Sequence, residues 1–199
     1  RKKILAVYYN NSKESLPRDN EIVLEIFKKV NESFAEYSFW NFDSQTINEV
    51  YSLIKEEAIH GMSVDSLIAI GLIFNADILV IMRMNARQTQ NFNDSLYKVL
   101  ANINFSTYDT YTGQQIAETS ITSFENSLKI SDNYDLNYLM KKAGKHALEE
   151  SVRQTVKHIK NYYQNSDFFL HEYSVIFRNY STIQERIIID YFENDLSFR

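Results

Sequence analysis

The 199-residue chain contains no cysteine. That absence excludes disulfide scaffolds, thiolate zinc sites and cysteine nucleophiles together, and it is compatible with an oxidising compartment without assigning one. There is one proline, Pro17, and there are four glycines, too few for Pro/Gly-rich linkers, collagen-like repeats or low-complexity segments. No apolar run approaches the ~18 residues that a membrane-spanning helix needs. The longest candidate, Val64 to Met84, is interrupted by Asp65, Asn75 and Asp77. Basic excess is also missing: a net charge of −5 argues against a general nucleic-acid binder. The chain starts at Arg1-Lys2-Lys3-Ile4 without an initiator Met, directly before an apolar run. It is therefore expected to be trimmed, with any signal peptide or lipid anchor lying outside it.

Catalytic patterns are equally scarce. Gly71 and Gly113 stand alone, outside any phosphate-cradling G-x-G-x-x-G or G-x-x-x-x-G-K-[ST] pattern. The polar stretch Asn10 to Asp19 lacks glycine, although a backbone that must approach a pyrophosphate usually needs it. His60, His146, His158 and His171 make no H-E-x-x-H. His146 and His158 lie about 18 Å apart along one helix, too far to share a metal. No G-x-S-x-G elbow is present. The pairs Glu56-Glu57 and Glu149-Glu150 are helical neighbours pointing about 100° apart, which suits a solvated face and not the opposed carboxylates of a glycosidase. Asp77 precedes an apolar strand, and a local cap or salt bridge outweighs catalysis there by about five to one. The cations of the long helical segment, Lys141, Lys142, Lys145, Arg153, Lys157 and Lys160, read as a solvated face. No cofactor and no metal are expected.

What is present is a conventional core composition, 44% hydrophobic and 24% charged, with fourteen Tyr and thirteen Phe. It predicts one domain, or one domain with a small second unit. Ile4 to Tyr9 reads as a buried strand. Ile22, Val23, Ile26, Phe27, Val30 and Phe34 form one helical stripe. Tyr37 to Phe42 reads as a second, aromatic strand. Asp43 or Ser44 caps a helix through Ile54 and Ala58, and Ser63 caps another that stops at Asn75. Asp77 to Met82 is an apolar strand. This βαβααβ order predicts α/β grammar with parallel neighbours.

Then the pattern changes. Val99, Ala101, Ile103, Phe105 and Thr107 alternate with Lys98, Leu100, Asn102, Asn104 and Ser106, a strand with one covered face. A turn at Asp109 to Gly113 leads into a polar strand from Gln114 to about Phe124, suited to a sheet edge or a solvated face. Asn85 to Asp94 reads as a polar insertion. Asp135 to Tyr163 is the longest helix, with Ala143 and Ala147 allowing close approach to the sheet. The predicted architecture is α/β (α+β): a mixed sheet covered by helices, with a long antiparallel hairpin. The expected domain is residues 1–164. Residues 168–199, with strand-like Tyr173 to Phe177 and a capping box at Thr182 and Glu185, form a strand–helix unit that could open a truncated second domain.

The run Ile70-Gly71-Leu72-Ile73-Phe74-Asn75-Ala76-Asp77-Ile78-Leu79-Val80 resembles the helix, Ala-Asp, strand signature of a bacterial cell-envelope domain. That domain is shared by the amino-terminal part of TolB, the curli secretion protein CsgG, the flagellar protein FlgT and the activator LpoB. The segment Ala101 to Ala117, with a Thr112-Gly113 turn, is similar to its hairpin, and the closing helix matches as well. The resemblance spans about Lys2 to Tyr163. It departs at Asn85 to Asp94 and in the aromatic second strand, and the trailing strand–helix pair looks most like the multi-domain FlgT type.

The resemblance implies a non-catalytic periplasmic or outer-membrane-associated module. Its partners would be envelope proteins, a second copy of the chain included, with no nucleic acid and with membrane contact only through a removed lipid anchor. The expected contact residues are Tyr108, Asp109, Tyr111 and Thr112 at the hairpin tip, where burial is not expected, and Asn91 and Phe92 in the polar insertion. The rival is a small-molecule- or nucleotide-binding α/β enzyme whose site, in the loops after the first two strands, gathers Asn10, Asn11 and Asp43.

Overall fold

A computed structural model describes residues 1–10, 15–58, 62–90, 97–127, 132–165 and 186. The elements run β1 (Lys3–Tyr8), α1 (Glu21–Glu36), β2 (Trp40–Asn41), α2 (Ser44–Ala58), α3 (Val64–Ile73), β3 (Ile78–Gln90), β4 (Tyr97–Asp109), β5 (Gln115–Ser127) and α4 (Asn133–Asn165). The five strands form one sheet in the order β2-β1-β3-β4-β5. Strand β1 pairs in parallel with β2 and with β3, whereas β3–β4 and β4–β5 are antiparallel. The fold is thus the predicted α+β type, with a parallel half and an antiparallel half. The proposed unit at 168–199 lies outside the described residues except for Arg186.

The two halves differ in how they are covered. Strand β1 is apolar at nearly every position because helices lie on both of its faces. On one face Ile4, Ala6 and Tyr8 join Val80, Met82, Ile103 and Phe105 beneath α1 and α4. On the other, Leu5, Val7, Leu79 and Ile81 pack against Val50, Tyr51 and Ile54 of α2 and Leu67, Ile68 and Ile70 of α3. Beyond Ile81 no helix among the described residues covers the second face. There β3, β4 and β5 alternate inward apolar with outward polar residues, the pattern of a half-covered antiparallel sheet.

Local chemistry sets the boundaries. Asn20 caps α1 by accepting from the Ile22 N–H at 2.9 Å, and Asp43 caps α2 by accepting from Thr46 N–H at 2.7 Å. Ser63 accepts from Ser66 N–H at 3.1 Å, and Asn75 ends α3 at φ 55°. Asp77 does what its strand-start position predicts: it accepts from Lys3 N–H at 2.6 Å and pairs with Lys2 Nζ at 3.6 Å.

Two expectations are corrected. The aromatic second strand shrinks to Trp40–Asn41, because residues 37 to 39 finish α1 instead. Tyr37 N–H donates to Phe34 O and Ser38 N–H to Ala35 O. Ser38 takes φ 70°, and the Phe39 ring packs edge-on to Phe34 with centroids 6.2 Å apart. The second correction concerns Asn85 to Asp94. Its first six residues are not an insertion but the outer half of β3, paired in unbroken register from Asn85↔Asn102 to Gln90↔Tyr97. Their polarity reflects one open face.

Candidate functional surface

Among the described residues the antiparallel half presents an open face whose rows follow from register. Arg83, Asn104 and Ser120 form one row, and Asn85, Asn102 and Thr122 the next. Arg87, Leu100 and Phe124 follow, then Thr89, Lys98 and Asn126. Asn102 Nδ2 donates to Thr122 Oγ1 at 2.9 Å and to Ser120 Oγ at 3.2 Å, and Asn104 Nδ2 donates to Asn102 Oδ1 at 2.7 Å. These amides satisfy one another across strands, which fixes their orientation on the face. Lys98 Nζ sits 4.1 Å from the centroid of the Phe124 ring, which is 52% exposed.

At the end of this face nearest α3, Tyr9, Val64, Ile81, Arg83, Ser106, Tyr108, Gln115 and Glu118 line a notch of about 140 Å³. Arg83 Nη2 donates to Ser106 Oγ at 2.7 Å and lies 3.6 Å from Glu118 Oε1. Its Nε is buried without a partner among the described residues. The guanidinium covers Ser106, so a hydroxyl expected to be exposed is buried. Burial raises the pKa of Tyr108 from its ordinary value, and the Glu118 carboxylate adds to the effect. A larger groove, about 390 Å³, lies between α1 and α4. Its Lys141 and Lys145 are consumed by Glu21 and Glu25, and Lys142 by Glu125 at 3.0 Å. The part of the basic helix face beside α1 and β5 is thus an ion-paired one.

The hairpin tip is not the free loop expected from its sequence. Asp109 and Thr110 are buried, and Tyr108, Tyr111 and Thr112 are half-buried. Asp109 Oδ1 accepts from Tyr111 and Thr112 N–H, both at 3.0 Å, while Oδ2 accepts from Tyr163 O–H at 2.7 Å. Thr110 N–H donates to Asp77 O at 3.1 Å, and its hydroxyl donates to Ala76 O. Tyr111 O–H donates to Asn75 Oδ1 at 3.0 Å. Gly113 closes the turn at φ 69°. The tip is a latch fixing the antiparallel half to the end of α3. Of the predicted contact residues, Tyr108 reaches the open face and Asp109 is spent internally. Asn91 and Phe92 lie outside the described residues.

Two residues of the rival site serve local structure. Asn10 Nδ2 donates to Ser15 O at 3.0 Å, closing its own loop. Asp43 caps α2, and the Thr46 N–H holds its carboxyl below the usual value. Asn11 lies outside the described residues. Sequence reasoning missed Arg83, Arg87, Glu118 and the exposure of Phe124. The signal was the alternation Met82, Met84, Ala86 against Arg83, Asn85, Arg87, which continues a strand through the supposed insertion.

No family model matches the chain, and no curated protein matches it in sequence. Solved structures do match. The hypothetical protein CT253 from Chlamydia trachomatis is 13% identical with a TM-score of 0.52, over 80% of this chain and 98% of that one. A minor lipoprotein from Acinetobacter baumannii is 10% identical with a TM-score of 0.50, over 79% and 94%. Lipoprotein GNA1162 from Neisseria meningitidis is 16% identical with a TM-score of 0.46, over 83% and 100%. At these identities the likeness is one of fold.

Proposed function

We propose that this chain is a non-catalytic interaction module of the bacterial cell envelope that receives a protein partner on the open face of β3, β4 and β5. The observation that carries it is the asymmetry of cover. One side of the antiparallel half is sealed by α4, while among the described residues nothing covers the other, a polar surface whose amides bond one another, with Arg87, Lys98, Leu100 and Phe124 in adjacent rows. Such a mixture of aromatic, cationic and amide groups is that of a protein interface. The envelope assignment draws on the fold shared with a minor lipoprotein and on the helix, Ala-Asp, strand run resembling the domain of TolB, CsgG, FlgT and LpoB. Within that reading the chain is a part or assembly factor of an envelope machine, such as a flagellar or secretion apparatus, at the periplasm or outer membrane.

The test is site-specific photo-crosslinking in the native host, with the probe at Phe124 or Arg87 and a control probe at Lys28 on α1. A discrete envelope protein captured from the open face and not from Lys28 is the expected result. Cytosolic fractionation, or equal capture from both faces, overturns the proposal. A thermal-shift screen with nucleotides, sugars and divalent metals addresses the enzyme rival. A ligand at a hundred times its dissociation constant adds about 2.7 kcal/mol, and the module is expected to give no such shift.

A further inference from the structure

Strand β5 is the outer edge of the sheet among the described residues. It is 13 residues long, about 44 Å at ~3.4 Å per residue. Edge strands that stay single are usually short, or carry Lys, Pro or a mid-strand bulge. Residues 115–127 contain neither Lys nor Pro. The one irregularity in the β4–β5 pairing falls at Thr107/Tyr108, opposite the start of β5. From Ala117 to Asn126 no further register shift interrupts the pairing with β4.

We propose that this edge pairs with the same edge of a second copy, antiparallel, about a two-fold axis perpendicular to the sheet. Three features favour a second copy over a loose peptide. First, charge. A perpendicular two-fold pairs residues of like face, so only positions of the same parity meet. Glu118 lies on the open face and Glu125 on the α4 face, where Lys142 and His146 hold it at 3.0 and 3.2 Å. The two glutamates therefore cannot oppose each other, and a register centred near Ile121 sets Glu118 against Phe124 and Glu125 against Ala117. Same-face pairs of Thr119 with Ser123 and Ser120 with Thr122 are complementary too.

Second, the flanking helix. Thr119 Oγ1 meets Thr155 Oγ1 at 3.1 Å and Glu125 meets His146, so mid-β5 lies level with about Ser151 of α4. Glu149 and Glu150 precede that level, and Arg153 and Lys157 follow it. Arg153 is bound to Glu150 within α4 at 2.6 Å, so an antiparallel neighbour would set Glu149 of one copy towards Lys157 of the other. Third, area. A strip ~44 Å long and ~15 Å deep, one strand plus the helix layer, covers about 650 Å² per copy and about 1,300 Å² in total, within the range of stable interfaces. A second β5 is also already extended, whereas a free peptide would have to be ordered along the whole edge. Pairing would merge the two open faces into one six-stranded polar platform. The inference thus rests on the open face being the partner surface but concerns a different edge.

The test uses the full chain in sedimentation velocity at 1 to 100 µM. A dimer is expected. Ser120→Lys with Thr122→Lys, both at exposed positions, should give a monomer that keeps the wild-type far-UV circular dichroism, because four lysines would converge at the axis. Because the chain has no cysteine, the double variant Ser120→Cys/Thr122→Cys, whose two positions face each other across the axis, should cross-link to a dimer and stop there on oxidation, whereas Lys28→Cys should not. A wild-type monomer throughout this range, or a dimer indifferent to the lysines and to the cysteine positions, overturns self-pairing. If that monomer still captures its partner from Phe124, only self-pairing fails and the functional proposal stands.

Discussion

The parallel and antiparallel halves of the sheet share one strand, β3, and differ in what lies behind it. In its first half, Leu79 and Ile81 face α3 while Val80 and Met82 face α1 and α4. In its second half, Met84 and Ala86 still face the helices, but Arg83, Asn85 and Arg87 face outward. Change of cover and change of residue type coincide within one strand. The difference teaches what each half contributes: the doubly covered half is scaffold, and among the described residues the singly covered half leaves a surface free.

The contrast predicts sharply unequal costs along the antiparallel half. Phe105 is fully buried and stacks on Phe34 with centroids 6.1 Å apart. Phe105→Ala should lose about 3–5 kcal/mol. Thr122, on the open face of the next strand, should lose no more than about 0.5 kcal/mol on replacement by Ala. Urea denaturation of both variants measures the gap. Comparable losses would mean that the open face is covered in the native protein.

The latch between the halves comes next in size. A Cβ on Gly71 would stand 2.9 Å from Thr110 Cγ2, a methyl pinned by the buried threonine's hydroxyl bond to Ala76 O. Gly71→Ala gains about 1 kcal/mol of helix propensity yet should still lose about 1–2 kcal/mol net, because neither partner has room to move. Thr110→Ser removes the methyl and keeps the hydroxyl. The double variant should recover most of the loss, a coupling that a double-mutant cycle reads directly. Purely additive effects would show that the tip does not bear on α3.

The latch also shows what could be read from residues and what could not. Alternation along Val99 to Thr107 foretold the covered face, and the capping roles of Asp43 and Ser63 and the stop at Asn75 followed from residue type alone. Tertiary pairing was not visible in that way. The tip's tyrosines and Asp109 looked exposed because a turn normally is, and nothing local indicates that Tyr163, 54 residues away, donates to Asp109. Phe39 looked like a strand residue because aromatic residues favour strands, yet it is an anchor for Phe34 at the end of α1. The second half of β3 looked like an insertion because its hydrophilicity was read without its period. The open face was therefore only partly legible: its β4 residues were placed correctly, and its β3 cations were not.

A smaller effect distinguishes the scaffold by pH. Tyr8 is buried between the halves, its hydroxyl donating to Leu16 O at 2.6 Å, and burial pushes its pKa up to about 12. The phenol ionises in the unfolded chain near pH 10 but stays neutral in the fold, so its contribution to stability is complete below pH 10. It is lost as pH rises towards 12. Tyr8→Phe removes the hydrogen bond and should cost about 1 kcal/mol at pH 7. Because Phe cannot ionise, that deficit should shrink above pH 10. A gap between the two melting temperatures that stays constant from pH 7 to 11 would place the ionisation elsewhere.

The smallest effect concerns the helix that spans both halves. Two acidic clamps hold the first turns of α4, one on each side. On the scaffold side Glu25 takes Lys145 at 2.8 Å and Lys141 at 3.1 Å, and Lys145 first, then Lys141, hold its carboxyl below the usual range. On the β5 side Glu125 takes Lys142 and His146, and its side chain is only 14% exposed. Surface pairs of the first kind contribute little once solvent and salt screen them. Glu125 is the better shielded, so Glu125→Gln should cost about 1 kcal/mol at low salt, and Glu25→Gln less. Raising ionic strength to 1 M shortens the screening length to about 3 Å. The Glu25→Gln deficit should then vanish, while part of the Glu125→Gln deficit persists. Equal salt sensitivity of the two would mean that α4 holds the antiparallel half no more tightly than it holds the scaffold.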